Sequence, residues 1–599
     1  MSKLFDFSSL AMIPTAVKDG KLYSIRPTDG DGDFTFSRGS NLAATRVDVN
    51  GLIEKGRENT ILYSNDFSRS QWNKDNTTAV SGYTSYDGSN NAWKIIPSTS
   101  TTYHRIKQIQ TWSYDVRTAS IYAKADGYNF VNFVTYTGAT DLSVQVDLSN
   151  GTIVSQLGST LIDTDIRSAG NGWYRISITG SGSSTTSQYG FQVYLLEDLG
   201  VSSWAGDGTS GILFADAQRE LGLVATDYIE TGSSTAQAGI LEDLPRLDYS
   251  GSCPALLLEP QRSNSITGSE YFDGGNLQDT QLSAEYNTAD TLSPEGTYNA
   301  VKLTATNNFP RYYDYPTIGD NVDVTLSVFA KAGDASVFTM RAFDKSSDTA
   351  VVNFDLSAGT AELSQFDDLS PSFTIEDMGN DWYRCSITTN TGSGATAFQI
   401  RPISHAQSET GGWSGSNYIY TYGAQMEAGS YPTSYIPTYG SAVTRSLDKC
   451  ELFGMNASGI STSNNWTYFI DIDNFEAGQE AFYLRSTSGE LMHLYTTSLG
   501  YRTSASGSTY PASWSFTGYN GTNTQLRMCI RYDGDKLVVF MNGSKKSDEI
   551  DSSLLSSRFN NPFDQDKFHF AGNSKWDTNQ KLFFDTALTD SECIALTTI

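Results

Sequence analysis

Gly170-Asn171-Gly172-Trp173-Tyr174-Arg175-Ile176-Ser177-Ile178-Thr179 returns as Gly379-Asn380-Asp381-Trp382-Tyr383-Arg384-Cys385-Ser386-Ile387-Thr388. In each copy the residues of a tight turn lead into a run in which the side chains alternate in character. Period-two alternation is the pattern of a strand with two different faces. Tyr174, Ile176 and Ile178 fall on one face, Trp173, Arg175 and Ser177 on the other. Tyr383, Cys385 and Ile387 oppose Trp382, Arg384 and Ser386 in the same way. A Trp beside an Arg on a polar face is either a platform for a sugar ring or a stack covered by a connector. Its presence in both copies favours the structural reading.

The match extends outward in one order. Leu52-Ile53-Glu54-Lys55-Gly56-Arg57-Glu58-Asn59 answers Leu257-Leu258-Glu259-Pro260-Gln261-Arg262-Ser263-Asn264. Asn91-Ala92-Trp93-Lys94 answers Asn299-Ala300-Val301-Lys302, and Val146-Asp147-Leu148-Ser149 answers Phe354-Asp355-Leu356-Ser357. Ala217-Gln218-Arg219-Glu220 answers Ala424-Gln425-Met426-Glu427. The period is roughly 205–209 residues, so one folding unit has been duplicated. A duplicated module suits a binder or spacer better than an active site, because several weak sites gain avidity.

Short β-branched or aromatic runs separated by Gly, Ser and Asp predict strands at 118–124, 129–136, 142–147, 174–179, 190–196 and 211–218. Module two repeats them at 326–330, 336–343, 351–355, 383–388, 396–402 and 418–425. Such spacing predicts an all-β chain with tandem jelly-roll sandwiches. The expected division is an extended N-terminal arm over 1–54, module one over 55–240 and a Pro-containing connector over 241–256. Module two follows over 257–445, and a non-repeating terminal domain over 446–599. In that domain Asp533-Gly534-Asp535 and Asn542-Gly543 predict two tight turns around a strand at 536–541.

The bulk numbers exclude several classes. A net charge of −27 with no basic cluster beyond Lys545-Lys546 argues against nucleic acid. No window is apolar for long enough to span a membrane, and the N-terminus has no secretory signal pattern. Cysteines stand at 253, 385, 450, 529 and 593 with no CxxC, which predicts free thiols, buried at Cys385 and Cys529. His104, His405, His493 and His569 are isolated and lack metal spacing. No nucleophile elbow and no HExxH occur, so no catalytic residue is assigned and the chain is expected not to be an enzyme. Asp29, Asp31 and Asp33 alternate like the opening of a calcium loop, yet Phe34 occupies the position that needs Gly and no Glu closes it. A plain Asp/Gly turn is expected there, with calcium left open elsewhere and no other cofactor expected.

Two resemblances add to this. Ile530 to Lys545, IRYDGDKLVVFMNGSK, and the closing FFDTALTDSECIALTT at 583–598 resemble the concanavalin A-like or laminin-G-like sandwich. Relatives of that fold often hold calcium, which is the metal the resemblance leaves open. FSRGSNLAATRVDVNGLIE (36–54), LPRLDYSGSCPALLLEPQRSN (244–264) and GAQMEAGSYPTSYIPTYGSAVTR (423–445) resemble segments of phage fibre, tail and head-decorating proteins. In that family they flank carbohydrate-binding-module-like jelly rolls. The resemblance implies a virion structural protein made in the host cytoplasm, with host surface glycans and other virion proteins as partners. By the same analogy it implies a homotrimer and attachment through the N-terminal arm.

Glycans are held by exposed aromatic faces together with amides and carboxylates. Loop aromatics at a sandwich rim are the natural choice, so the expected glycan contacts are Trp204 and Trp413 in Gly/Ser loops, with Trp514, Tyr519 and Trp576 in the terminal domain. The competing reading of each is a loop anchor. The alternatives to host adsorption are a purely structural head or tail component, or a glycan-degrading enzyme with accessory modules.

Overall fold

The structure is a computed structural model. It describes residues 2–598 apart from 19, 41, 138–140, 183–185, 252–253, 273–277, 307–309, 317, 344–348, 367–370, 393–396, 405, 408–414, 477–481, 487–490, 495–497, 503–512, 516–524, 547–549, 552–562 and 570–574.

Ile176 and Ile178 of Trp173–Ser181 are fully buried, as their alternation requires. They pack with Ile121, Phe133, Val144, Phe191 and Val193 between two six-stranded antiparallel sheets. One sheet runs Leu161–Gly170, Trp173–Ser181, Val116–Asp126, Gly211–Leu221, Ala92–Pro97, Thr77–Tyr83. The other runs Thr152–Leu157, Asp141–Asp147, Phe130–Tyr136, Thr186–Leu196, His104–Trp112, Asn73–Asp75. Module two repeats both orders strand for strand, with its own core of Val328, Phe338, Val352, Cys385, Phe398 and Met426. Irregularities in register recur as well. Ser120/Tyr122 and Ser327/Phe329 mark one at equivalent positions, while the shift at Gln145/Val146 in module one falls two residues earlier in module two, at Val351/Val352. Every predicted module strand is present. The all-β sandwich reading therefore holds from the turn chemistry up to the sheet order.

The terminal sandwich corrects the expected boundaries. Its first sheet is built on Lys575–Phe584, Trp466–Glu476, Leu526–Tyr532 and Lys536–Met541. Leu10–Met12 from the N-terminus pairs with Lys575–Phe584, and so does Ala255–Leu258 from the inter-module connector. In the opposite sheet Phe34–Ser37 pairs with Lys449–Phe453. Residues 1–54 are thus not an extended arm, and 241–256 is not a free connector. Leu10, Met12, Phe34, Phe36, Leu256 and Leu258 are all buried in the terminal core beside Trp466, Ile470 and Phe583. Burial of these side chains is the physical reason. Each contributes about 1.5–3 kcal/mol when fully removed from water, which a solvated arm would forgo. The Asp533-Gly534 and Asn542-Gly543 turns form as expected, with Gly534, Asn542 and Gly543 at positive φ. The chain closes on the helix Asp590–Thr597, started by a Thr589/Glu592 capping box.

Residues from the N-terminal segment, the 241–256 segment, module two and the start of the terminal domain meet in a buried ionic hub. Arg38 Nη1 lies 3.2 Å from Asp448 Oδ1. Arg246 contacts both Asp448 and, at 2.9 Å, Glu259. Arg445 reaches the same Glu259 oxygen at 2.8 Å. All five side chains are fully buried. Burial lowers the Arg38 guanidinium to about 10 although Asp448 opposes it, while Asp448 and Glu259 more than reverse the same effect on Arg246. A second clasp sets Lys55 Nζ 2.9 Å from both Glu270 and Glu295 and 2.7 Å from the Tyr439 hydroxyl. Burial works against the charge of Lys55, and the two carboxylates more than offset it, holding the amine above the usual lysine range. These two clusters join the segment before module one to module two and to the terminal sandwich.

Candidate functional site

The open face of the Tyr194 sheet in module one is set by alternation. Phe191, Val193 and Leu195 point into the core, so Gln192 and Tyr194 point out. On the neighbouring strand Ile106 points in, leaving Arg105 and Lys107 out, directly opposite Tyr194 and Gln192. Asn132 and Gln145 continue the row on the next two strands. Arg105 is the centre of this face. Its Nε donates to Asp75 at 2.8 Å and its Nη1 to Gln192 at 2.8 Å and to the Tyr194 hydroxyl. The guanidinium carbon lies 4.9 Å from the Tyr103 ring centre and 5.1 Å from that of Tyr194. Lys107 Nζ shares Asp75 at 2.8 Å. Burial pushes the Asp75 carboxyl up, but the bonds from Lys107 and Arg105 outweigh it and hold it below the usual carboxylate range. The Asn132 carbonyl oxygen is buried without a protein partner.

Module two presents the equivalent face with other side chains. Shared register makes Arg311 the counterpart of Arg105, and Gln399 of Gln192. Arg401 replaces Tyr194, Tyr313 replaces Lys107, and Thr339 replaces Asn132. Arg311 lies 5.3 Å from the Tyr313 ring centre, and Tyr313 meets Tyr315 edge-on at 5.4 Å. Arg401 donates to Gln399 at 3.3 Å, and Thr339 to Asn353 at 2.9 Å. Gln192, Lys107, Gln399, Arg401 and Thr339 are buried, so the accessible part of each face is a guanidinium with tyrosine rings: Tyr103, Arg105 and Tyr194 in module one, and Arg311, Tyr313 and Tyr315 in module two. Such a set offers C–H stacking surface together with donors and acceptors for hydroxyl groups.

A third polar surface lies on the terminal sandwich. Phe469, Cys529, Leu582 and the closing helix cover half of the outer face of its first sheet. Two residues further along each strand the same face turns polar, with Asp471, Arg527 and Gln580 in register. A groove of about 580 Å³ opens there, walled by Thr15, Ser250, Gly251 and Pro254. Asp471 accepts from Arg527 and Gln525, and Asp473 from Asn579.

The expected tryptophans lie elsewhere. Trp204 is 3% exposed and donates from Nε1 to Leu195 O at 3.3 Å. Its ring packs on Tyr128 and His104, so it anchors its loop into the core and is not a rim aromatic. Trp413 and Tyr519 lie outside the described residues. Trp514 falls in Ser513–Ser515 and Trp576 in Lys575–Phe584, and both side chains lie outside the described residues. Trp173 and Trp382 are buried, the latter donating to Leu292 O at 2.9 Å and packed against Ile53 of the segment before module one. Arg175 and Arg384 stack on Tyr122 and Phe329, not on the tryptophans. Asp29 and Asp33 accept turn bonds from Asp31 N and Ser24 N. Among the described residues no group of three His, Cys, Asp or Glu is placed to hold a metal ion, and no helix is long and apolar enough to cross a membrane. Cys385, Cys450, Cys529 and Cys593 are buried free thiols.

No family model matches the chain, and no curated protein matches it. Among solved structures, the N-terminal CBM22-1–CBM22-2 tandem domain of Paenibacillus barcinonensis Xyn10C is 10% identical, covering 65% of this chain and 99% of that one with a TM-score of 0.18. The LG1–3 region of the laminin α2 chain is also 10% identical, covering 82% and 96% with a TM-score of 0.13. At such scores neither likeness bears on function.

Proposed function

We propose that this chain is a bacteriophage virion structural protein, a fibre, spike or head decoration, that adsorbs to host cell-surface glycans through the open faces of its two modules. The observation that carries the binding half is the pair of equivalent accessible faces, Tyr103/Arg105/Tyr194 and Arg311/Tyr313/Tyr315. Two weak sites on one rigid body, multiplied over the copies in a particle, give avidity that neither has alone. The role is binding and not catalysis. Support for the virion half is the resemblance of 36–54, 244–264 and 423–445 to phage protein segments. Those segments supply Arg38, Arg246, Glu259 and Arg445 of the buried hub, so the resembling residues are ones the architecture needs.

The test is quantitative mass spectrometry of density-purified particles from a host lysate. The chain is expected at a fixed ratio to the major capsid protein. A few copies per particle would mark a fibre, and many would mark decoration. Absence from the particles overturns the virion reading.

A further inference from the structure

The duplication supplies an internal control for a surface that differs between the copies. Leu161–Gly170 and Ser372–Asp377 are equivalent edge strands, because each pairs with the Trp–Tyr–Arg strand of its own module in the same register. Asp163 opposes Thr179 as Ser372 opposes Thr388. Asp165 opposes Ser177 as Thr374 opposes Ser386, and Arg167 opposes Arg175 as Glu376 opposes Arg384. Module one therefore carries Asp, Asp and Arg where module two carries Ser, Thr and Glu.

The arginine behind them differs too. Arg384 donates from Nη2 to Thr433 O at 2.6 Å and to Ser327 Oγ at 3.2 Å. Arg175 keeps the serine bond, to Ser120 Oγ at 3.1 Å, and has no counterpart of the carbonyl bond. Its side chain instead lines a cleft of about 520 Å³ between the modules. Module two contributes Asn287 and Tyr298 to the opposite wall. Asn287 Nδ2 donates to Asp163 Oδ2 and to Leu223 O, each at 2.7 Å, while its Oδ1 is buried with no protein partner. Tyr298 is 38% exposed, and the Arg167 guanidinium carbon lies 5.7 Å from its ring centre.

We infer that this inter-module cleft is a further glycan subsite, distinct from the two sheet faces, and that it takes a neutral pyranose. The inference rests on the glycan-binding reading above. Two carboxylates and two guanidiniums line the cleft and cancel, so a charged sugar gains nothing from it. Adjacent ring hydroxyls are both donors and acceptors. One donates to Asp163, its neighbour accepts from Arg175, and the ring's C–H face lies against Tyr298. Neither module alone holds the full set.

The experiment applies the full chain to an array of neutral and uronic-acid-containing bacterial oligosaccharides, beside Tyr298→Ala, Arg175→Met and the double face variant Tyr194→Ala/Tyr313→Ala. Tyr298 is partly exposed, so its truncation leaves the fold intact, which the unfolding midpoint checks. A subset of neutral glycans is expected to stay bound in the face variant and to weaken about tenfold or more in Tyr298→Ala, with Arg175→Met in the same direction. If every bound glycan is lost in the face variant and none changes in Tyr298→Ala, the cleft is not a subsite, while the glycan reading stands. If the cleft-dependent subset is acidic, the assigned sugar class is overturned. If the unaltered chain binds nothing, both readings fall.

Discussion

At the scale of single residues, two aromatics in module one separate packing from recognition. Trp204 is enclosed by Tyr128, His104 and the core, whereas Tyr194 stands on the open face beside Arg105. Trp204→Ala should lower the stability of module one by about 3–5 kcal/mol, the cost of truncating a buried large aromatic, read in denaturant melts. Tyr194→Ala should leave that stability within about 1 kcal/mol and instead weaken glycan binding. If Trp204→Ala keeps full stability and loses binding, the assignment of both residues is reversed. Asp314 gives a pH test in module two. Burial raises its carboxyl from 3.8 to about 6, against a single opposing bond from Tyr315 N, and its Oδ2 is buried without a protein partner. A carboxyl with a raised folded pKa holds its proton more tightly in the folded state. Its contribution is therefore full below the unfolded value and lost as pH rises through the folded one. Relative to Asp314→Asn, the unaltered chain should lose stability by a few degrees of melting temperature between pH 4 and 6.5 and run parallel to it below and above. Parallel curves throughout would remove the assignment. The sequence pointed to loop tryptophans because a Trp in a Gly/Ser loop has no period to place it. The Arg105–Tyr194 face was hidden for the opposite reason. Its residues lie on different strands, and only cross-strand register brings them together.

At the scale of elements, the sequence was most legible where one strand's own alternation decides its faces. All twelve module strands predicted at 118–218 and 326–425 are present, as are both terminal turns. Short strands such as Leu10–Met12 and Ala255–Leu258 were not foreseen. Three or four apolar residues have no readable period, and their partners lie hundreds of positions away. The end of module two, at 439–440, is held just as tightly. Val116 N donates to Tyr439 O, and Gly440 N to Thr267 O, so one peptide bridges both modules. Gly440 has φ +135, and a Cβ there would sit 1.6 Å from Tyr114 O. Gly440→Ala should therefore cost roughly 2–4 kcal/mol and expose this segment to limited proteolysis. A variant as protease-resistant as the unaltered chain would show that the two modules are not clamped at this peptide.

At the scale of the whole molecule, sequence order and spatial order part company. The terminal sandwich takes strands from 10–37, from 246–258 and from 449–584, so the chain leaves it and returns to it twice. Its core depends on Leu10, Met12, Phe34, Phe36, Leu256 and Leu258, none of which lies in 446–599. A fragment of residues 446–599 should then fail to fold as a stable monomer and show no cooperative melt. A well-folded fragment would mean that the added strands only decorate a complete sandwich. The hub makes the same dependence measurable without cutting the chain. Asp448 is the carboxylate shared by Arg38 and Arg246, one from the N-terminal segment and one from the inter-module connector. Asp448→Ala leaves both guanidiniums buried with one carboxylate, Glu259, between three arginines. Breaking a buried pair in this way costs about 3–5 kcal/mol, since the remaining charge is neither solvated nor matched. Because the hub ties Arg38, Arg246, Glu259, Arg445 and Asp448 together, the loss should appear in calorimetry as the terminal sandwich and the modules melting apart, where the unaltered chain melts in one transition. An Asp448→Ala protein that still melts in one transition at the original temperature would show that apolar burial alone holds the three sandwiches together.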